Sequence, residues 1–179
     1  MRGVQCSCLL FTAGITGLLL VVLFGFPRHT FQEAGTALLG VCYIPFLFSY
    51  LLLLRALPQG ERVTLLTFVL TWTVDSAAFL IGSRFGRRHL AKKLSPHKTW
   101  AGAWAGLTGS VCVMLLVAPS ISLTWAEGAV TGAAVAVAAT LGDLVESALK
   151  RLAQVKDAGS VLPGHGGILD RFDALLLVA

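Results

Sequence analysis

Five apolar stretches, separated by short polar segments, dominate the sequence. They cover about residues 8–26, 34–57, 63–82, 100–118 and 129–149. About 20 apolar residues suffice for a helix to cross the hydrocarbon core of a bilayer. The pattern therefore predicts an all-α fold, a polytopic membrane helix bundle with about five spans. Residues 168–179 are too few to span alone, so we expect a C-terminal half-helix or an incomplete span there.

The composition agrees with a membrane protein. Hydrophobic residues make up 56% of the 179 residues and charged residues only 13%, with a mean hydropathy of +0.80. The net charge of +5 does not indicate nucleic-acid binding, because no aromatic-interleaved basic segment accompanies it. The four cysteines lie in or beside apolar stretches and imply no disulfide framework.

The distribution of basic residues predicts the topology. Segment 84–98 contains six Lys or Arg and no acid. If it is cytoplasmic, eleven of the 14 basic residues lie on that side: one before it, six within it and four after it. Since cytoplasmic loops carry the excess of Lys and Arg, we expect this orientation. In a bacterium the membrane would be the inner, cytoplasmic one.

Two acidic residues interrupt the apolar stretches, Asp75 in the third and Asp143 in the fifth. An ionisable group within a span is costly and usually faces a bundle interior or a water-filled cavity. Both acids should lie roughly 10 to 12 Å below the cytoplasmic surface, at 1.5 Å per residue. Asp143, Glu146, Ser147 and Lys150 recur at helical spacing and share one face. We predict a polar pocket that opens to the cytosol.

Residues 147–173 gather charge and glycine in an otherwise apolar chain. Mg²⁺ prefers oxygen ligands and commonly takes one or two carboxylates, so Asp143 and Asp170 are the candidate metal ligands. Four basic residues could neutralise phosphate charge during phosphoryl or nucleotidyl transfer; these catalytic candidates are Lys150, Arg151, Lys156 and Arg171. Backbone amides around Gly166 and Gly167, next to His165, could cradle phosphate.

Three segments resemble one enzyme family. The motifs S-A-L-K-R, K-D and L-P-G-H-G-G-I-L-D-R-F-D, within 147–173, resemble the signature of the phosphatidate cytidylyltransferases, also called CDP-diglyceride synthetases. D-S-A-A-F-L-I-G-S-R-F-G at 75–86 and S-P-H-K-T-W-A-G at 95–102 resemble two further blocks of that family. At position 101 this chain has Ala where the family usually has Glu, and at position 97 it has His where Lys is common. Both departures bear on activity.

The resemblance implies a cytosol-facing, Mg²⁺-dependent site that joins CTP and phosphatidic acid into CDP-diacylglycerol and releases pyrophosphate. It implies that Asp143 and Asp170 hold the metal and that the four basic residues contact phosphate. Eight further residues are expected to bind substrate: Asp75, Ser95, Lys98, Thr99, Ser147, His165, Gly166 and Gly167. On this reading residues 1–179 form a single membrane domain, with N-terminal spans in 1–62 and catalytic helices and cytoplasmic loops in 63–179.

Two other functions use similar residues. A CTP-dependent lipid-alcohol kinase would need the same charges, but the complete G-H-G-G-I-L-D-R-F-D block argues against it. A small ion-coupled transporter would also carry intramembrane acids, yet the sequence contains no internal repeat of the kind that transporters show. The expected partners are CTP, phosphatidic acid and membrane lipids, without nucleic acid. Whether a second, monovalent cation binds and whether the protein forms a homodimer stay open.

Overall fold

The structure, a computed structural model, describes residues 2–25, 31–92, 94–155, 174, 175, 177 and 178. Five α-helices and one β-hairpin follow one another along these residues. In order they are α1 (Arg2–Gly25), α2 (Phe31–Arg55), α3 (Gly60–Phe85), β1 (His89–Ala91), β2 (Ser95–Thr99), α4 (Trp100–Val117) and α5 (Trp125–Leu152), with a short 3₁₀ turn at Ala118–Ile121.

Each of the five apolar stretches forms a helix, so the predicted all-α membrane architecture is confirmed. Within the described ranges, three helical segments are long and apolar enough to cross a membrane: Gly60–Phe85, Trp100–Ile121 and Trp125–Leu152. Shorter apolar helical stretches lie at Thr12–Gly25 and Phe46–Arg55. The chain is an integral membrane protein.

Two compact units divide the chain, Met1–Tyr50 and Leu51–Ala179. The first contains α1 and most of α2, in which the rings of Phe46 and Tyr50 meet edge to face at 5.4 Å. The second contains α3, the hairpin, α4 and α5. Both intramembrane acids belong to the second unit.

Glycines bring α3 and α4 together as an antiparallel pair. A Cβ atom added at Gly102 would lie 2.7 Å from the Ala78 carbonyl oxygen, and one at Gly106 would lie 3.0 Å from Val74 Cγ1. Within a bilayer such small residues let helix backbones approach closely and gain van der Waals contact. The glycine spacing in the fourth stretch therefore marks the face of α4 that meets α3.

The contact between α4 and α5 combines glycine with a buried hydroxyl. Ser110 Oγ donates a hydrogen bond of 2.8 Å to the Gly132 carbonyl, and Ser110 is fully buried. A Cβ at Gly132 would lie 2.9 Å from Val111 Cα. A capping box, in which Thr124 and Glu127 satisfy each other's backbone amides, begins α5.

Part of the final segment is helical and packs on this three-helix bundle. Ala174 is 2% exposed and belongs to a core cluster with Val74, Ala136 and Ala139. Val178 packs against the same cluster. These contacts agree with the predicted half-helix.

The hairpin is an element that the sequence analysis treated only as a basic loop. Strands β1 and β2 pair antiparallel, with His89 opposite Thr99 and Ala91 opposite Ser95. Their three and five residues are too few to show a clear alternation of polar and apolar positions. The hairpin links α3 to α4 and positions segment 95–99 beside both helices.

Candidate active site

A polar cavity of about 380 Å³ lies where the hairpin meets α3, α4 and α5. The second unit of the chain supplies all of its walls. Its lining residues are Val74, Asp75, Ala78, Phe79, Leu90, Ser95, His97, Lys98, Thr99, Gly102, Ala103, Thr140 and Asp143. Five of the residues selected from the sequence thus share one space: Asp75, Ser95, Lys98, Thr99 and Asp143.

Three charged groups from three different elements meet in this cavity. Lys98 on β2 forms an ion pair from its Nζ to Oδ2 of Asp143 on α5. Asp75 on α3 lies close enough to both for electrostatic interaction. The side chains of Lys98 and Asp143 remain 19% and 33% exposed, so the pair stays accessible to a ligand.

The two acids lie at similar depth in the bundle. Asp75 is ten residues from the end of α3 at Phe85, and Asp143 is nine residues from the end of α5 at Leu152. At 1.5 Å per residue both are about 14 to 15 Å from those helix ends. These distances to the helix ends exceed the depths expected from the sequence, because both helices continue past the predicted limits of the apolar stretches.

Thr99 attaches the hairpin to the helices and thereby positions Lys98. It is the N-cap of α4, and its Oγ1 accepts a hydrogen bond of 3.2 Å from the Gly102 amide. The same hydroxyl lies 3.5 Å from the Gly82 carbonyl of α3, to which it donates. A Cβ at Gly82 would lie 2.9 Å from this hydroxyl, so glycine there makes room for the cap.

Three of the selected residues on α5 lie outside the cavity lining, namely Ser147, Lys150 and Arg151. Lys150 Nζ instead pairs with Glu146 Oε2 at 2.5 Å, and Glu146 is only 1% exposed. Arg151 is exposed. The predicted polar face of α5 therefore contains two ion pairs, one with the hairpin and one within the helix.

The remaining selected residues lie outside the described ranges. They are Lys156, His165, Gly166, Gly167, Asp170 and Arg171.

Sequence reasoning missed several lining residues. Thr140 lies one turn before Asp143, and its Oγ1 donates a 2.8 Å hydrogen bond to the Ala136 carbonyl of its own helix. The spacing of three residues from Asp143 could have revealed it. Phe79 and Leu90 also line the cavity, but the sequence gives no comparable signal for them. An apolar residue that lines a cavity cannot be distinguished in the sequence from one that faces lipid.

The donor set in the cavity fits Mg²⁺. Among the described residues, no cluster of three or more His, Cys, Asp or Glu is arranged to hold a metal ion. The cavity does present two carboxylates, Asp75 and Asp143, together with hydroxyl groups. Mg²⁺ is usually bound through one or two carboxylates, with water and substrate phosphates completing its shell, so these residues suffice for that mode.

Comparisons with known proteins identify a family. The model of the cytidylyltransferase family matches residues 3–179. A phosphatidate cytidylyltransferase of Staphylococcus epidermidis is 38% identical over 154 residues, which cover 84% of this chain and 58% of that protein. The Bacillus subtilis phosphatidate cytidylyltransferase is 38% identical over 83% of this chain and 56% of its own length. A Synechocystis protein of the same name is 35% identical over 92% of this chain and 67% of its own.

Proposed function

This chain belongs to the cytidylyltransferase family, and we propose that it transfers the cytidylyl group of CTP to phosphatidic acid, giving CDP-diacylglycerol and pyrophosphate. One observation carries the proposal: Asp75, Lys98 and Asp143 converge in a cavity between membrane-spanning helices. The relatives that bear the name phosphatidate cytidylyltransferase support the choice of substrates. The chain spans 58% and 56% of the length of two of them.

The reaction is a substitution at phosphorus. A phosphate oxygen of phosphatidic acid attacks the α-phosphorus of CTP, a new P–O bond forms, and the bond to the β-phosphate oxygen breaks. Pyrophosphate leaves with that bonding pair. A phosphate monoester is largely ionised at neutral pH, its second pKa being about 6, so the attack needs no strong general base. Catalysis then depends on positioning and on charge stabilisation.

Lys98 supplies positive charge within the cavity. Its ammonium group contacts Asp143, so the side chain is held at the cavity wall before any substrate enters. A compact ammonium binds phosphate oxygens as a point charge. We assign Lys98 to the phosphates of the nucleotide or the lipid, with Ser95 and Thr99 beside it on β2.

Asp143 and Asp170 are the proposed Mg²⁺ ligands, and Asp75 lines the same cavity as Asp143. When bound, Mg²⁺ would neutralise the charge on the triphosphate and on departing pyrophosphate. The polar cavity supports this assignment through Asp143, whose side chain is one-third exposed. Binding of a second, monovalent cation and formation of a homodimer stay predictions.

The basic residues beyond Asp143 are proposed phosphate contacts. Lys150 lies seven residues after Asp143 on α5, which places the two on one helix face. Arg151 follows directly, and Lys156 and Arg171 lie farther along the sequence. His165, Gly166, Gly167 and Ser147 complete the proposed substrate-binding set.

We propose that the cavity opens to the cytosol. The hairpin carries Lys92 and Lys98 and directly follows Arg88, and α5 ends with Lys150 and Arg151 at the same end of the bundle. An excess of Lys and Arg marks the cytoplasmic side of membrane proteins. In a bacterial cell the proposed membrane is the inner, cytoplasmic one, where CTP would reach the site from the cytosol.

The test measures conversion of labelled CTP and phosphatidic acid to CDP-diacylglycerol by purified protein with and without Mg²⁺. Asp143→Asn and Asp170→Asn should each lower the rate by at least about 10²-fold, since each removes charge from the transition-state environment. Glu61→Gln is the matched control. Glu61 is exposed and lies in the first turn of α3, far from the cavity, where it pairs with Arg55 of α2.

Each outcome separates the candidate functions. Full activity of Asp143→Asn would contradict the assigned site. With a lipid alcohol in place of phosphatidic acid, formation of CDP and the phosphorylated lipid alcohol would identify a kinase. Folded protein that binds no CTP would instead favour the transporter.

A further inference from the structure

An apolar groove of about 350 Å³ runs between α4 and α5. On α4 it is lined by Trp100, Ala103, Trp104 and Leu107, which recur at intervals of three and four residues. Such spacing forms one stripe along a helix. From Trp100 to Leu107 the stripe extends about 10 Å, at 1.5 Å per residue.

The facing stripe on α5 has the same character. It includes Val137, Leu141 and Leu144, again at intervals of three and four. None of the residues that line the groove is charged. Its volume falls within the roughly 300–1,000 Å³ typical of ligand pockets.

The groove is continuous with the polar cavity. Leu90, Ala103 and Thr140 line both spaces. A molecule could therefore place a charged group beside Lys98 and Asp143 while its apolar part extends along α4 and α5. Water-soluble nucleotides have no such apolar part, but membrane lipids do.

The groove also opens toward the lipid side of the helices. Trp104 is 60% exposed, Val137 50% and Leu141 50%, and all three belong to segments able to span the membrane. An acyl chain could enter sideways without leaving an apolar environment. Entry therefore requires no transfer of apolar surface through water.

We propose that this groove holds one acyl chain of the phosphatidic acid whose phosphate lies in the polar cavity. The inference rests on the proposed function and specifies how its lipid substrate is bound. Because lipid tails are as apolar as the groove, the groove adds orientation more than affinity. It aligns the lipid so that the phosphate oxygen meets the nucleotide, and the charges near Lys98 select the headgroup.

The experiment uses phosphatidic acid with a photoreactive diazirine near the middle of one acyl chain, at low fraction in phosphatidylcholine vesicles that contain the protein. A phosphatidylcholine probe with the same chain reports contact with bulk lipid. Mass spectrometry locates the cross-links. We expect the phosphatidic acid probe to label Val137, Leu141 and Leu144 several-fold more than the phosphatidylcholine probe does.

Two tryptophan variants sharpen the test. Val137→Trp fills the groove and should reduce the preferential labelling and raise the KM for long-chain phosphatidic acid. Val130→Trp is the control: Val130 lies seven residues earlier on the same face of α5, is 70% exposed and lies outside the groove lining. It should leave both quantities unchanged.

The results distinguish this inference from the proposed function. Equal labelling by the two probes, or labelling that Val137→Trp and Val130→Trp affect alike, would overturn the groove assignment even if CDP-diacylglycerol is formed. Preferential labelling without CDP-diacylglycerol synthesis would retain the lipid site and overturn the activity. If Val137→Trp does not fold, the comparison of the two probes on the unaltered protein decides the question.

Discussion

The two ends of the α3–α5 bundle use the same helices in different ways. At the end where α4 leads into α5, Ser110 and Met114 are fully buried and Gly132 lets the α4 backbone approach. At the hairpin end, glycine also brings helices together at Gly102, yet a cavity of about 380 Å³ remains. Close helix contacts thus occur at both ends, but the hairpin end also keeps space for charged groups.

The polar groups at the two ends are satisfied differently. Ser110 donates to a backbone carbonyl across the helix interface, so it needs neither water nor a ligand. Lys98 and Asp143 pair with each other but stay partly exposed. Charged groups within a span are costly and face bundle interiors or aqueous cavities, which is why this difference marks the hairpin end as the functional one.

The largest expected effect is at the cavity. Lys98→Met removes the ammonium that pairs with Asp143 and should lower kcat/KM for CTP by about 10²-fold or more, as loss of one charge-stabilising donor does in other enzymes. Lys98→Arg keeps the charge and should retain part of the activity. Lys92→Met is the control, because Lys92 is an exposed residue of the hairpin turn outside the cavity lining. Equal losses in Lys98→Met and Lys92→Met would contradict a specific role for Lys98.

An effect of intermediate size is expected at the end of the bundle where α4 leads into α5. Gly132→Ala introduces a Cβ 2.9 Å from Val111 Cα and 3.0 Å from the Ser110 carbonyl oxygen, and overpacking of this kind costs about 1–3 kcal/mol. The apparent Tm in detergent should fall. Gly109→Ala should have a smaller effect, since its Cβ would lie 3.3 Å from a side-chain methyl group of Thr73. A Tm change that is larger for Gly109→Ala would show that the α4–α5 contact is not the tighter one.

The smallest effect concerns the Thr99 cap, which joins the hairpin to α3 and α4. Thr99→Ala removes the acceptor for the Gly102 amide, and loss of an N-cap side chain costs about 1 kcal/mol. Because Thr99 is adjacent to Lys98, activity should fall together with thermal stability. Thr99→Ser keeps the hydroxyl and should restore both. If Thr99→Ser behaves like Thr99→Ala, packing of the methyl group against α3 is the important contribution.

Helix positions were accessible from the sequence because each apolar stretch has the length that a membrane requires. The glycines at 102 and 106 indicate that some helix approaches α4 closely, but they do not identify that helix as α3. The hairpin was not predicted, since its strands are short and one of them contains Pro96 and Lys98. Such a pairing depends on the helices that bring its two ends together.

The candidate site was predicted in part. Asp75 and Asp143 could be selected because an acid within an apolar stretch is conspicuous. Lys98 was selected through the family resemblance. Nothing in the sequence paired Lys98 with Asp143, which are 45 positions apart. Leu90 was missed because its importance comes from lining both the cavity and the groove.

The sequence by itself determined that this is a helical membrane protein of the cytidylyltransferase family, since hydropathy and motifs are local properties of the chain. Only the tertiary structure decided which residues share a space: that Lys98 meets Asp143, and that an apolar groove adjoins the polar cavity. The physical reason is that cavities and ion pairs depend on the distances between helices. Those distances follow from close packing at glycine and serine contacts far apart in the chain.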